Sequence, residues 1–249
     1  MLTILTELKS YDVRGADADI GRLDDIVFPD NEWVVRYVVV DMEDLAREAL
    51  LLAAYLGRLD RRTHTLSADV SLEAVANTPP LDRSQPLTRH EEQELHDLYG
   101  WPVYWWETEE EIVPMNEPLE EEEATDRPER EEGERLIQEE LEGPELLFAA
   151  DLIGVYGIEA EGDEVGRLRD LVIDDETWTI PYVVIDRTSR ADQTLLSTDY
   201  VEVIDLEARR LHVSIPLDAL ANGPVFRAED PITPELAQSL REYYDQYAR

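Results

Sequence analysis

Apolar and polar positions alternate along the first hundred residues in short runs, not in long helical stripes. Leu23 to Phe28 is a short apolar segment, Pro29-Asp30-Asn31 is turn-forming, and Trp33 to Val40 is dense in β-branched and aromatic residues. Two such runs around a polar turn predict a hairpin. Further strands are expected at Ala49 to Ala53, Leu56 to Asp60 and Thr65 to Ala68. A helix follows: Thr88-Arg89-His90-Glu91 has a capping-box pattern, and Leu95, Leu98 and Tyr99 share one helical stripe.

The same series then returns. Shifted by 145 residues, the chain aligns with itself without a gap from Ile20 to Tyr99, with 27 of 80 pairs identical. Ile20-Gly21-Arg22-Leu23 falls on Val165-Gly166-Arg167-Leu168, Trp33 on Trp178, and Tyr37-Val38-Val39-Val40-Asp41 on Tyr182-Val183-Val184-Ile185-Asp186. The second copy predicts strands at Leu171 to Ile173, Trp178 to Ile185, Thr194 to Ser197, Val201 to Asp205 and Leu211 to Ile215. Its helix begins at Thr233-Pro234, and proline suits a first helical turn. The period is too long for a solenoid and means two homologous domains. The expected division is 1–106 for the first domain with its helix and an aromatic segment, 107–145 for an acidic and largely disordered linker, and 146–249 for the second domain. Five or six short strands at this spacing suggest a small barrel or sandwich.

The motif Ile20-Gly21-Arg22-Leu23, Asp25, Asp30, Trp33 and Tyr37-Val38-Val39-Val40-Asp41 resembles the PRC-barrel family, as does its second copy with Gly166, Asp170, Trp178, Tyr182 and Asp186. The resemblance covers roughly residues 5–80 and 150–225. It implies a mainly β fold of two tandem small antiparallel barrels, each followed by a helix and together forming a pseudo-dimer in one chain. It also brings two functional associations: the cytoplasmic domain of the photosynthetic reaction centre H subunit, and a domain of the ribosome maturation factor. The motif residues read as architecture. Gly21 and Gly166 suit a turn where a side chain clashes or φ is positive. Asp41 and Asp186 are expected to bond local backbone N–H groups.

Charge narrows the choice of partner. Acids number 59 against 22 bases, a net charge of −37, which disfavours nucleic acid. The linker holds 18 acids and 3 arginines, so it does not account for the whole excess. Abundant acids with a single lysine, Lys9, resemble proteins of salt-accumulating halophiles; biased codon usage with one acidic linker is the alternative. Loose, unspecific cation association is expected. There is no cysteine, which excludes disulfides and thiol chemistry. Leu146 to Ile158 is too short for a membrane helix of ~20 residues, and a cytoplasmic protein is expected.

No catalytic group, cofactor or metal site is assigned. His90 and His96 do not make the zinc-protease pattern, and surface positions are expected for the histidines. Asp24/Asp25 and Asp174/Asp175 sit at predicted turns with no nucleophile beside them. The aromatic segment Trp101, Tyr104, Trp105 and Trp106 reads either as intramolecular packing or as a partner-binding patch. The expected function is non-enzymatic protein binding, as an adaptor. The alternatives are an accessory protein of photosynthetic electron transfer or a ribosome-assembly adaptor.

Overall fold

A computed structural model describes residues 1–79, 81, 83, 87, 89–101, 144–188, 192–228 and 230–247. The chain is mainly β, with two seven-stranded sheets. It divides into a unit of residues 1–86 with 145–249 and a second unit of residues 87–144.

The first sheet uses β2 (Asp12–Arg14), β3 (Asp19–Pro29), β4 (Tyr37–Met42), β5 (Arg47–Leu52), β6 (Leu56–Asp60) and β7 (Thr65–Ala68), in the order β5-β4-β3-β2-β7-β6. The second uses β9 (Gly157–Ala160), β10 (Asp163–Asp174), β11 (Thr179–Arg187), β12 (Gln193–Ser197), β13 (Val201–Asp205) and β14 (Arg210–Val213), in the matching order. Neighbours are antiparallel except β2 with β7 and β9 with β14. The cores are rows of aliphatic side chains such as Val38, Val39, Val40 and Val183, Val184, Ile185, all at most 1% exposed.

Each sheet takes its seventh strand from the other repeat. β1 (Leu2–Ile4) pairs antiparallel with β10, while β8 (Leu146–Phe148) pairs with β3. Each donated strand runs into a short helix, α1 (Leu5–Leu8) or α4 (Ala149–Leu152). Between the two exchanges lies a further bridge, Val34 with Thr179, flanked by Val35 N–H to Trp178 O at 2.7 Å and Ile180 N–H to Trp33 O at 2.8 Å. Val34 and Thr179 are matched positions of the duplication, so a residue meets its own counterpart. That is the signature of a two-fold, isologous contact.

The duplicated strand pattern agrees with the sequence, with shifts at the ends. Residues 33–36 lie outside β4, because Trp33 to Arg36 serve the contact between repeats. Trp178 has φ 54°, a left-handed conformation that interrupts a strand, so β11 starts at Thr179. The N-terminal strands β1, β2, β8 and β9 and the short helices α2 (Leu72–Ala76) and α5 (Leu217–Ala221) add to the predicted elements.

An arginine holds the end of each of those last two helices, half-buried in the first repeat and buried in the second. Arg47 donates to Ala76 O at 2.9 Å and Thr78 O at 2.5 Å; Arg187 donates to Ala221 O at 3.3 Å and Gly223 O at 2.8 Å. The carbonyls match between repeats, but the arginines do not. Arg47 faces Met42 across β4 and β5, whereas Arg187 stands where Met42 stands and Asp192 takes the place of Arg47. Arg187, its side chain 2% exposed, is held by Asp192 at 2.7 Å. Arg187→Ala should therefore cost about 3 kcal/mol in denaturant unfolding, the loss expected when a buried ion pair is broken. Arg187→Met with Asp192→Arg, which copies the first repeat, should recover most of it. An equal loss in the single and double variants would contradict the equivalence.

Helix α6 (Pro234–Tyr244) closes the second repeat, capped by Thr233 Oγ1, which accepts from Leu236 N–H at 3.2 Å. Its Tyr243 donates to Ala219 O at 3.0 Å, and Tyr244 is 1% exposed. The counterpart α3 (Arg89–Tyr99) belongs to the second unit. There Trp101 stacks on Tyr99 at 4.0 Å and meets His96 edge-on at 5.8 Å. His96 is fully buried, which corrects the surface position expected for it; His90 is exposed. Thr88 lies outside the described residues.

Candidate functional site

The motif residues fall into the contact between repeats and the strands that support it. Asp25 Oδ2 accepts from Ala150 N–H of α4 at 3.2 Å, and Asp170 Oδ1 accepts from Thr6 N–H of α1 at 3.4 Å. Each repeat thus offers a buried carboxylate to the helix that the other repeat donates. Burial pushes Asp25 from its ordinary value of 3.8 to about 6, and Lys9, its own backbone neighbour Ile26 and Arg83 oppose that only in part. Burial also raises Asp170. Arg83 bridges Asp24 at 2.9 Å and Glu48 at 3.1 Å, and its guanidinium lies 5.3 Å from the ring centre of Phe148.

A carboxyl whose pKa is raised by folding binds its proton more tightly in the folded than in the unfolded chain. Asp25 therefore contributes most below about pH 4, and this contribution declines as pH rises through 6. Relative to Asp25→Asn, the wild type should lose stability of the order of 3 kcal/mol between those limits. Urea unfolding of both proteins across that range measures it; a difference that stays flat or grows with pH would contradict it.

Tyr37 and Tyr182 are buried in β4 and β11. Asp41 lies in β4, opposite Arg22 and Glu48, and among the described residues its side chain accepts no bond from a backbone N–H. Asp186 instead takes Gln193 Nε2 at 2.8 Å and Arg169 at 3.9 Å. Of the aromatic segment, Trp101 is 7% exposed, so its ring presents little free surface; Tyr104, Trp105 and Trp106 lie outside the described residues.

Each acid pair is engaged by a shared cation, Arg83 for Asp24 and Asp25 and the Met1 ammonium for Asp174 at 3.0 Å and Asp175 at 2.7 Å. Asp175 also takes Arg61 at 2.5 Å, and Asp174 accepts from Glu176 N–H at 3.0 Å. His212 is half-buried and sits 3.3 Å from Glu159 and 3.8 Å from Asp205, partners that sequence reasoning missed. Among the described residues no cluster of three or more acids or histidines is arranged to hold a metal.

A cleft of about 1090 Å³ opens where the repeats meet. Its floor and walls come from residues 34–36, the end of β5, all of β6, and residues 175–178 of the other repeat. Arg36, Arg58, Arg61 and Arg62 line it, against the carboxylates Asp60, Asp175 and Glu176. Arg36 pairs with Glu32 at 2.7 Å and Arg61 with Asp175, while Asp60 is used by its own turn, accepting from Arg62 N–H at 2.8 Å. Sequence reasoning did not find this site, because its residues are brought together by the meeting of repeats. The one signal available was the set of unmatched arginines in the alignment.

No family model matches the chain. Among curated proteins, the ribosome maturation factor RimM of Myxococcus xanthus is 31% identical over 87 residues. That match takes in 32% of this chain and 43% of the relative, so the chain spans less than half the length of the protein it resembles. The similarity supports a PRC-barrel-like relationship. No helix is long and apolar enough to cross a membrane among the described residues.

Proposed function

We propose that the chain is a non-enzymatic adaptor that binds a partner protein, of the kind associated with ribosome maturation. The observation that carries this reading is the cleft beside β6, a large concavity with polypeptide edge and guanidinium groups facing solvent. The partial similarity to a ribosome maturation factor favours assembly of ribosomal particles over photosynthetic electron transfer as the setting. Two PRC-barrel-like domains joined by exchanged strands make a stiff platform for it, since relative motion would break two sheets. Cross-linking mass spectrometry in extract of the native cell tests the reading. Reproducible cross-links to one protein of an assembling ribosomal particle are expected. Absence of any reproducible partner would overturn it.

A further inference from the structure

We propose that the cleft takes an extended acidic segment of a partner protein, which adds as a strand to the free edge of β6. This rests on the protein-binding reading and names the class of partner. β6 ends its sheet, pairing with β7 on one side. Among the described residues Leu56 N–H donates to Ala53 O, and the backbone groups of residues 57–60 bond only within that pairing. An edge of this kind is a template for a further chain. The edge lies along the cleft, whose apolar wall includes Leu52, Leu56, Leu59 and the buried Trp178.

Charge specifies the occupant. In a chain of net −37 this cleft holds four guanidiniums against three carboxylates. Arg58 and Arg62 are exposed and neither forms a direct ion pair among the described residues, although Arg62 is felt by the neighbouring Asp60 carboxylate. The duplication supplies an internal comparison. The positions matched to Arg36, Arg58, Arg61 and Arg62 are Pro181, Val203, Leu206 and Glu207. Both repeats keep the edge strand, yet one alone carries the arginines, so the scaffold does not require them. A peptide with alternating acids satisfies both features: its main chain bonds the edge, and its carboxylates meet the guanidiniums. A nucleic acid brings anions but no strand to add, and the overall negative field opposes a polyanion.

The test uses the full chain and a fluorescent peptide of alternating Glu and Val, followed by anisotropy. A Glu-Pro peptide of equal length and charge lacks every second N–H donor, and its fixed proline φ keeps it out of a regular strand. Arg58→Glu with Arg62→Glu removes the local charge, and Arg167→Glu with Arg209→Glu makes the same change of net charge elsewhere on exposed positions. The Glu-Val peptide should bind, the Glu-Pro peptide about tenfold more weakly, and the Arg58/Arg62 variant should lose about tenfold while the control pair loses little. No binding of the Glu-Val peptide, equal binding of Glu-Pro, equal losses in the two variants, or tighter binding of an oligouridylate would each overturn it. If extract cross-linking finds the same partner with wild type and the Arg58/Arg62 variant, protein binding stands and this cleft is not its site. If neither finds one, the adaptor reading itself fails.

Discussion

Gly21→Ala and Gly166→Ala should each cost about 3 kcal/mol or more, lowering Tm by roughly 6–12 °C in a chain of this size. A Cβ on Gly21 would stand 2.1 Å from Asp41 O, and one on Gly166 2.3 Å from Asp186 O. The obstacle is backbone of the neighbouring strand, which cannot swing away as a side-chain tip would. Neither glycine has a positive φ; the need is close approach, which settles the two reasons that the sequence leaves open. Gly154→Ala is the control. Its φ is +77° with nothing within 4 Å of the added carbon, so it should cost only about 1 kcal/mol of backbone strain. Thermal unfolding ranks the three. A Gly154 variant as damaged as the other two would mean that conformation, not collision, sets the penalty.

Phe148→Ala should destabilise by about 3–5 kcal/mol, as expected for emptying a buried aromatic site. More telling is where the damage appears. Phe148 belongs to the second copy of the duplication, is 3% exposed, and pairs with Val27 of β3 in the first sheet. Amide exchange should therefore accelerate in β3 and β4, while β10 and β11 change less. Acceleration centred on β10 and β11 would place the strand in its own repeat and contradict the exchange.

Much of this architecture was legible because it is local. The valine runs at Val38 to Val40 and Val183 to Ile185, and the Thr233-Pro234 helix start, state their structure in a few adjacent residues. The duplication was legible because identical residues recur at one spacing. The strand exchange was not, since β1 and β8 are three residues each and no alternation can be read in so short a run. The histidines failed for a related reason. His96 looks polar and helical in sequence, and its burial depends on tertiary neighbours. The roles of Asp25 and Asp170 were likewise hidden, because their hydrogen-bond partners lie 125 and 164 residues away. The cleft combines both difficulties, being assembled from three separated segments.

The exchange of strands is tested most directly by a cysteine pair at Ile4 and Val172, in a chain that has no cysteine of its own. These residues are partners across β1 and β10, three register positions from Met1 and Asp175, which are joined by Asp175 N–H to Met1 O; the antiparallel alternation puts Ile4 and Val172 in the closer, non-hydrogen-bonded class. Ile4→Cys with Val172→Cys should oxidise readily to an internally bridged monomer with a raised Tm. Thiols that remain free in the folded protein, or bridges formed only between molecules, would contradict the account.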